Sequence, residues 1–354
     1  MVSFFKKTNV YFLTASKIRY IEGFLVRNDY LCILIAGIAY LFFIHLTMDS
    51  DNISTGPLMA PSLSGKLISL IITFCVMIII VGLGRPVMDL FCGDDRTAFL
   101  SGSLCQSILA FIFPAWLTAR LFADSPRMYL GFSSRVMFRQ FAGVIILMTI
   151  MTPLLNAIVA WNAGISLPDS LHGIEQTLRT WEDNAARVTS MILGDTSVLG
   201  LVSGILVIGI VTGLAEETFF RAGIQKAMTS SGINAHVAVW TAAFVFSAVH
   251  FQFFGFVPRL LLGALFGYLY YYTGSLWVSA FAHALNNSAV VLVSWLEARG
   301  CLTAGFDEIG VTGKCSVLIL ISSLILTLVF LLVFWQKMFH PIDGKDKKSL
   351  KKTI

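Results

Sequence analysis

The sequence predicts an all-α, polytopic membrane protein with about eight to nine transmembrane helices and an amphipathic surface helix ahead of its second half. Three observations predict it. Hydrophobic residues make up 56% of the 354-residue chain and charged residues only 13%, where a soluble domain carries about 25%. Mean hydropathy is +0.80. Apolar runs of about 20 residues, the length that crosses a bilayer, recur along the whole chain. The net charge of +5 gathers at the two ends beside apolar runs, a membrane pattern that gives no reason to expect a nucleic-acid partner; membrane lipid is the expected surrounding.

The elements follow in order. Residues 1–29 form a basic segment mixing aromatics with Lys17, Arg19 and Arg27, which suits a helix on the membrane surface better than one across it. No small-residue cleavage site follows a compact apolar core there, so a removed signal peptide is not expected. Residues 30–161 hold the N-terminal spans, at about 30–47, 67–84, 99–121 and 138–161, and Pro114 and Pro153 predict kinks in the last two. Residues 162–197 are a polar insertion. In it Leu171, Ile174, Leu178 and Trp181 recur at helical spacing between charges, an amphipathic surface helix over a cavity mouth, with His172 an ordinary exposed histidine. Residues 198–300 are denser, with runs at about 198–227, 234–254, Pro258–Thr273 and 276–297, and GxxxG pairs at Gly209–Gly213 and Gly263–Gly267 that let helices approach closely. Residues 301–337 hold a loop and the last span, and 338–354 form a basic tail.

The lysine tail and Arg120, Arg127, Arg135 and Arg139 all favour the cytoplasm. Nine spans satisfy both but put the N-terminus outside; eight put it inside and make one segment re-entrant or in-plane. The compact chain points to a bacterial inner (cell) membrane. The six cysteines show no CxxC spacing, and only Cys301 and Cys315, flanking one loop, are placed to pair in an oxidising compartment.

Chemistry concentrates in the stretch LAEETFFR, Leu214–Arg221, which follows a run without charge from Val198 to Gly213. A carboxylate at lipid depth costs about 2.5–3.5 kcal/mol on insertion scales, and here two are adjacent. Glu217 and Arg221 stand at i,i+4, the better orientation for an ion pair, while Glu216 points about 100° away around the helix. One glutamate is thus expected to be neutralised by arginine and the other left free. A purely structural Glu–Arg clamp is the competing reading. Two further helices carry polar groups, Phe246 and His250 in one, His283 and Asn287 at i,i+4 in the other. Measured from the turns near Ser231 and Gly274, Glu216, His250, Asn287 and His283 lie about 22, 28, 20 and 13 Å along their helices, which permits one site if helices tilt or turns differ in height.

EExxxR at Glu216, Glu217 and Arg221, FxxxH at Phe246 and His250, and HxxxN at His283 and Asn287 resemble, in order and spacing, the motifs of the CPBP family of intramembrane glutamic endopeptidases, which includes type II CAAX prenyl proteases and bacteriocin-processing or Abi-like immunity proteins. The resemblance covers roughly residues 195–300. It implies a peptide hydrolase acting within the membrane on a membrane-associated protein or peptide. It implies that Glu216 and His250 activate the attacking water and that His283 and Asn287 form the oxyanion hole, with Glu217, Arg221 and Phe246 supporting and no metal or other cofactor. The chemistry agrees: amide hydrolysis needs a base, an acid for the leaving amine, and donors where negative charge develops.

Other intramembrane proteases are disfavoured, since HExxH, GxSxG and GxGD are absent. A zinc protease built on Glu216, His250 and His283 is the alternative within enzymes, with Asn287 a poor fourth ligand. A transporter would show related halves, yet here the polar residues cluster in one half. A non-catalytic scaffold or immunity protein would keep its function without Glu216.

Overall fold

The computed structural model describes residues 57–58, 62–91, 95–302, 308–313 and 316–339. The expected interfacial segment 1–29, the span at 30–47, the basic tail from residue 340 on and Cys315, the expected partner of Cys301, lie outside the described residues. The protein is an all-α, polytopic membrane protein; among the described residues no strand occurs and seven helices are long and apolar enough to cross a membrane.

Helix α1, Leu63–Phe91, is capped by Ser62, whose hydroxyl accepts the Gly65 N–H. Ile68, Ile71, Ile72, Ile79 and Leu83 project outward from it as a broad apolar face suited to lipid. Helix α2, Arg96–Phe122, widens into a π-helical turn at Ser107–Ile112, just before Pro114. Proline has no N–H to give the preceding turn, and the looser ladder accommodates it. After a short turn, α3 (Pro126–Tyr129), comes α4, Phe138–Ala163. Pro153 interrupts its ladder, and Ser323 from the last helix repairs it: the Ser323 hydroxyl donates to the Ile150 carbonyl at 2.6 Å and accepts the Leu154 N–H at 3.2 Å.

The polar insertion forms α5, His172–Leu193. Its apolar stripe stays largely exposed at Leu171, Ile174 and Trp181, and His172 is exposed as expected. At its start the Leu167 N–H and Arg179 hold the Glu175 carboxylate below the usual carboxylate range. Helix α6, Val198–Thr229, runs 32 residues and contains two π-helical stretches, Ile205–Val211 and Thr218–Gln225, on either side of the paired glutamates.

The run expected at 234–254 is shorter. Helix α7 is Ala235–Ala248, only 14 residues or about 21 Å, so His250 lies in a turn beyond it. The chain turns back through Phe253–Gly255 into α8, Phe256–Thr273, which begins ahead of Pro258 because a first-turn proline forfeits only an unpartnered N–H. Gly274, at φ 63, ends α8 in the left-handed conformation that glycine adopts without penalty. Helix α9, Leu276–Ala298, and helix α10, Ser316–Val333, follow, and a last short helix, α11, Trp335–Phe339, ends the described residues.

Candidate active site

Small residues bring α6 and α9 into backbone contact. A β-carbon on Gly213 would stand 3.0 Å from the Ala284 nitrogen, and one on Gly204 would stand 2.9 Å from Val291 Cγ1. With no side chain between them, His283, adjacent to Ala284, faces the turn of α6 that carries Glu216 and Glu217. The GxxxG pair of α8 does the same against α7: a β-carbon on Gly263 would meet Ala243 and Phe246, and one on Gly267 would meet Val239 and Gln225.

Glu217 is fully buried and holds two partners through one oxygen. Arg221 Nη1 lies 2.9 Å from Glu217 Oε1, the expected i,i+4 pair, and His283 Nδ1 lies 2.9 Å from the same atom. Arg221, also fully buried, donates from Nη2 to the Gly263 carbonyl at 3.0 Å, and one turn on Gln225 donates to the Gly267 carbonyl at 3.0 Å. The guanidinium lies over the Phe246 ring at 4.8 Å, a favourable place for a desolvated cation. Phe266 stacks on the His283 imidazole at 5.0 Å and Phe246 meets it edge-on at 5.7 Å.

Glu216 points to the other side of the imidazole. Its Oε2 is 3.6 Å from His283 Nε2, too far for a direct hydrogen bond, and its side chain keeps 12% exposure. An ionised carboxylate only accepts, so His283 Nδ1–H donates to Glu217 and Nε2 is the atom turned to Glu216. His250 borders the cluster: its Nδ1–H donates to the Phe246 carbonyl at 2.7 Å, and its ring packs edge-on against Phe246 at 5.1 Å. It lies within electrostatic reach of Glu216 and His283. Asn287, one turn along α9 from His283, donates from Nδ2 to the Ile208 carbonyl in the first π-helical stretch of α6 at 3.3 Å. The structure therefore brings Glu216, Glu217, Arg221, Phe246 and His283 into one contact set with His250 at its edge, and it bonds Asn287 to the α6 backbone.

Residues 198–289 match the family model described as type II CAAX prenyl endopeptidase, Rce1-like, a span that contains every one of these side chains. The part of the chain that carries the site is thus similar to the Rce1-like CAAX proteases. An uncharacterized protein of Bacillus subtilis (strain 168), YpbD, is 30% identical to the chain over 83 residues, 22% of this chain and 39% of YpbD. The chain thus matches about two fifths of that relative's length. No solved structure matches.

The site also draws on residues that spacing alone does not reveal. Phe266 lies in the apolar stretch Leu260–Leu269 of α8 and carries no signal of its own. The second partner of Glu217 is equally hidden, because i,i+4 arithmetic sees one segment and His283 lies 66 residues away. Asn162 does have a signal, as a polar residue at the end of an apolar run. Its amide donates to the Phe253 carbonyl at 3.3 Å and accepts the Val257 N–H at 2.8 Å, tying α4 to the turn after His250. Among the described residues no group of three or more His, Cys, Asp or Glu side chains is gathered as a metal-binding cluster.

Proposed function

We propose that the Rce1-like segment is an intramembrane endopeptidase that hydrolyses a peptide bond of a membrane-associated protein or peptide, using water activated by Glu216 and His250. One observation carries the reading. A histidine buried between two phenylalanines is flanked by two adjacent carboxylates, one locked to it and to Arg221, the other 3.6 Å away with partial access. A structural clamp needs only Glu217 and Arg221; it gives no reason for Glu216 to face the second imidazole nitrogen.

In this mechanism Glu216 takes a proton from water as the water oxygen bonds to the carbonyl carbon. His250, whose Nδ1–H is committed to the Phe246 carbonyl, offers its Nε2 lone pair to the same water. Negative charge develops on the carbonyl oxygen, where the donors are the second N–H of Asn287 and, when both ring nitrogens carry protons, the Nε2–H of His283. The proton on Glu216 passes to the amine nitrogen as the C–N bond breaks. Glu217 touches no reacting atom; it fixes the orientation of His283 through the bond to Nδ1, as a carboxylate partner commonly does for a working histidine. No step passes through a metal. The match to a Bacillus subtilis protein supports our assignment to a bacterial cell membrane, with the C-terminal lysines toward the cytoplasm.

The test uses purified protein in detergent and a proteome-derived peptide library read by mass spectrometry. Wild type is expected to generate new peptide termini and Glu216→Gln none. Equal cleavage by both would move the reaction to another group.

A further inference from the structure

His250, which the proposed mechanism needs beside Glu216, has no helix to hold it. Helix α7 stops at Ala248, and Phe251, the next residue after His250, sits at φ 53, a left-handed conformation that a bulky side chain rarely adopts. A loop bent in this way keeps its shape only if its surroundings impose it.

The imposing group is Arg259. From the second turn of α8 its Nη2 donates to the Gln252 side-chain oxygen at 2.6 Å and its Nη1 donates to the Gln252 backbone carbonyl at 3.2 Å. One guanidinium therefore grips both the side chain and the backbone of the residue two positions after His250. Gly255 makes room for this: a β-carbon there would run into the guanidinium. The other end of the Gln252 amide donates to Glu182 of α5 at 3.4 Å, and Trp181 of α5 meets Phe251 edge-on at 6.2 Å. The charge of Arg259 also lies within electrostatic reach of Glu216 and His250. An arginine near the positive end of a helix is unfavourable for the helix itself, so its presence there is not explained by the stability of α8.

We propose that Arg259 is a positioning residue of the site: by holding the side chain and carbonyl of Gln252 at once, it fixes the loop that aims His250 at Glu216. The inference rests on the endopeptidase reading. A lysine would keep the charge but not the two-pronged fork, so the two functions separate by substitution.

The test combines kinetics on a peptide cleaved by the wild type with hydrogen exchange of the full-length protein in detergent, followed by mass spectrometry. Arg259→Gln is expected to lower kcat at least tenfold with KM within twofold, and to speed exchange of the amides of residues 250–255 while those of α6 and α9 stay as in wild type. Gln252→Ala should give a similar loss, and the double variant should be no worse than either single one, because both act through one contact. Arg259→Lys should recover only part of kcat. A wild-type kcat in Arg259→Gln, a loss confined to KM, or a kcat loss with unchanged loop exchange would each overturn the inference and leave the endopeptidase reading standing. If the wild type cleaves no peptide, the endopeptidase reading falls, and with it the catalytic part of this inference; loop exchange then reports only whether Arg259 holds the loop.

Discussion

Glu217 serves two partners through one carboxylate oxygen, and that makes the neighbouring glutamates unequal. Glu217→Gln leaves Arg221 buried with no counter-charge and His283 without its acceptor. Removing one member of a buried pair typically costs about 3–5 kcal/mol, so thermal stability in detergent should fall and activity with it. Arg221→Gln should do similar damage, and the double variant should regain part of the stability because neither charge is then stranded. Activity should not return, since His283 still lacks its anionic acceptor. Glu216→Gln should melt like wild type and be inactive; the reverse pattern would exchange the two roles. Asn287→Ala should lower kcat by about 10²–10³, the usual loss for one oxyanion donor, with little change in KM. Because Asn287 also bonds the Ile208 carbonyl, a melting curve on the same variant separates a lost donor from a loosened α6–α9 contact.

At the scale of elements, the site exists because helices lacking side chains at chosen points can touch. Gly213 is one such point, with the Ala284 nitrogen 3.0 Å from where a β-carbon would stand, whereas Gly82 on α1 has open space around it. Gly213→Leu should therefore lower both the melting temperature and turnover, and Gly82→Leu should leave both near wild type. Much of this was legible in the sequence. The apolar runs, the Glu217–Arg221 spacing and the glycine pairs are local patterns, and local patterns survive being read along one chain. The short α7 was not legible, because Val249–Phe254 holds no glycine or proline to mark a stop and three phenylalanines carry the apolar character on, while the backbone turns at Phe251. Nor was the Glu217–His283 contact, which depends on how two helices are rotated against each other. The expected spread in depth between Glu216 and His283 is met by tilt or by turns at different heights, since the two side chains lie 3.6 Å apart.

For the molecule as a whole, seven helices among the described residues are apolar and long enough to cross a membrane, four neighbouring helices (α6–α9) or their ends supply the buried ionisable cluster, and the surface helix α5 contacts the loop beside that cluster through Trp181 and Glu182. Hydrolysis by glutamate and histidine alone predicts that peptide cleavage by purified protein survives treatment with a metal chelator. Loss on chelation and recovery with zinc would favour the metal-dependent route. The central claim, that this bundle cuts peptide bonds in its own membrane through Glu216, is tested most directly by cataloguing peptide termini in membranes from cells carrying wild type or Glu216→Gln at equal protein levels. The account predicts a set of membrane-protein termini present with wild type and missing with the variant. Identical sets of termini in the two membranes would contradict it.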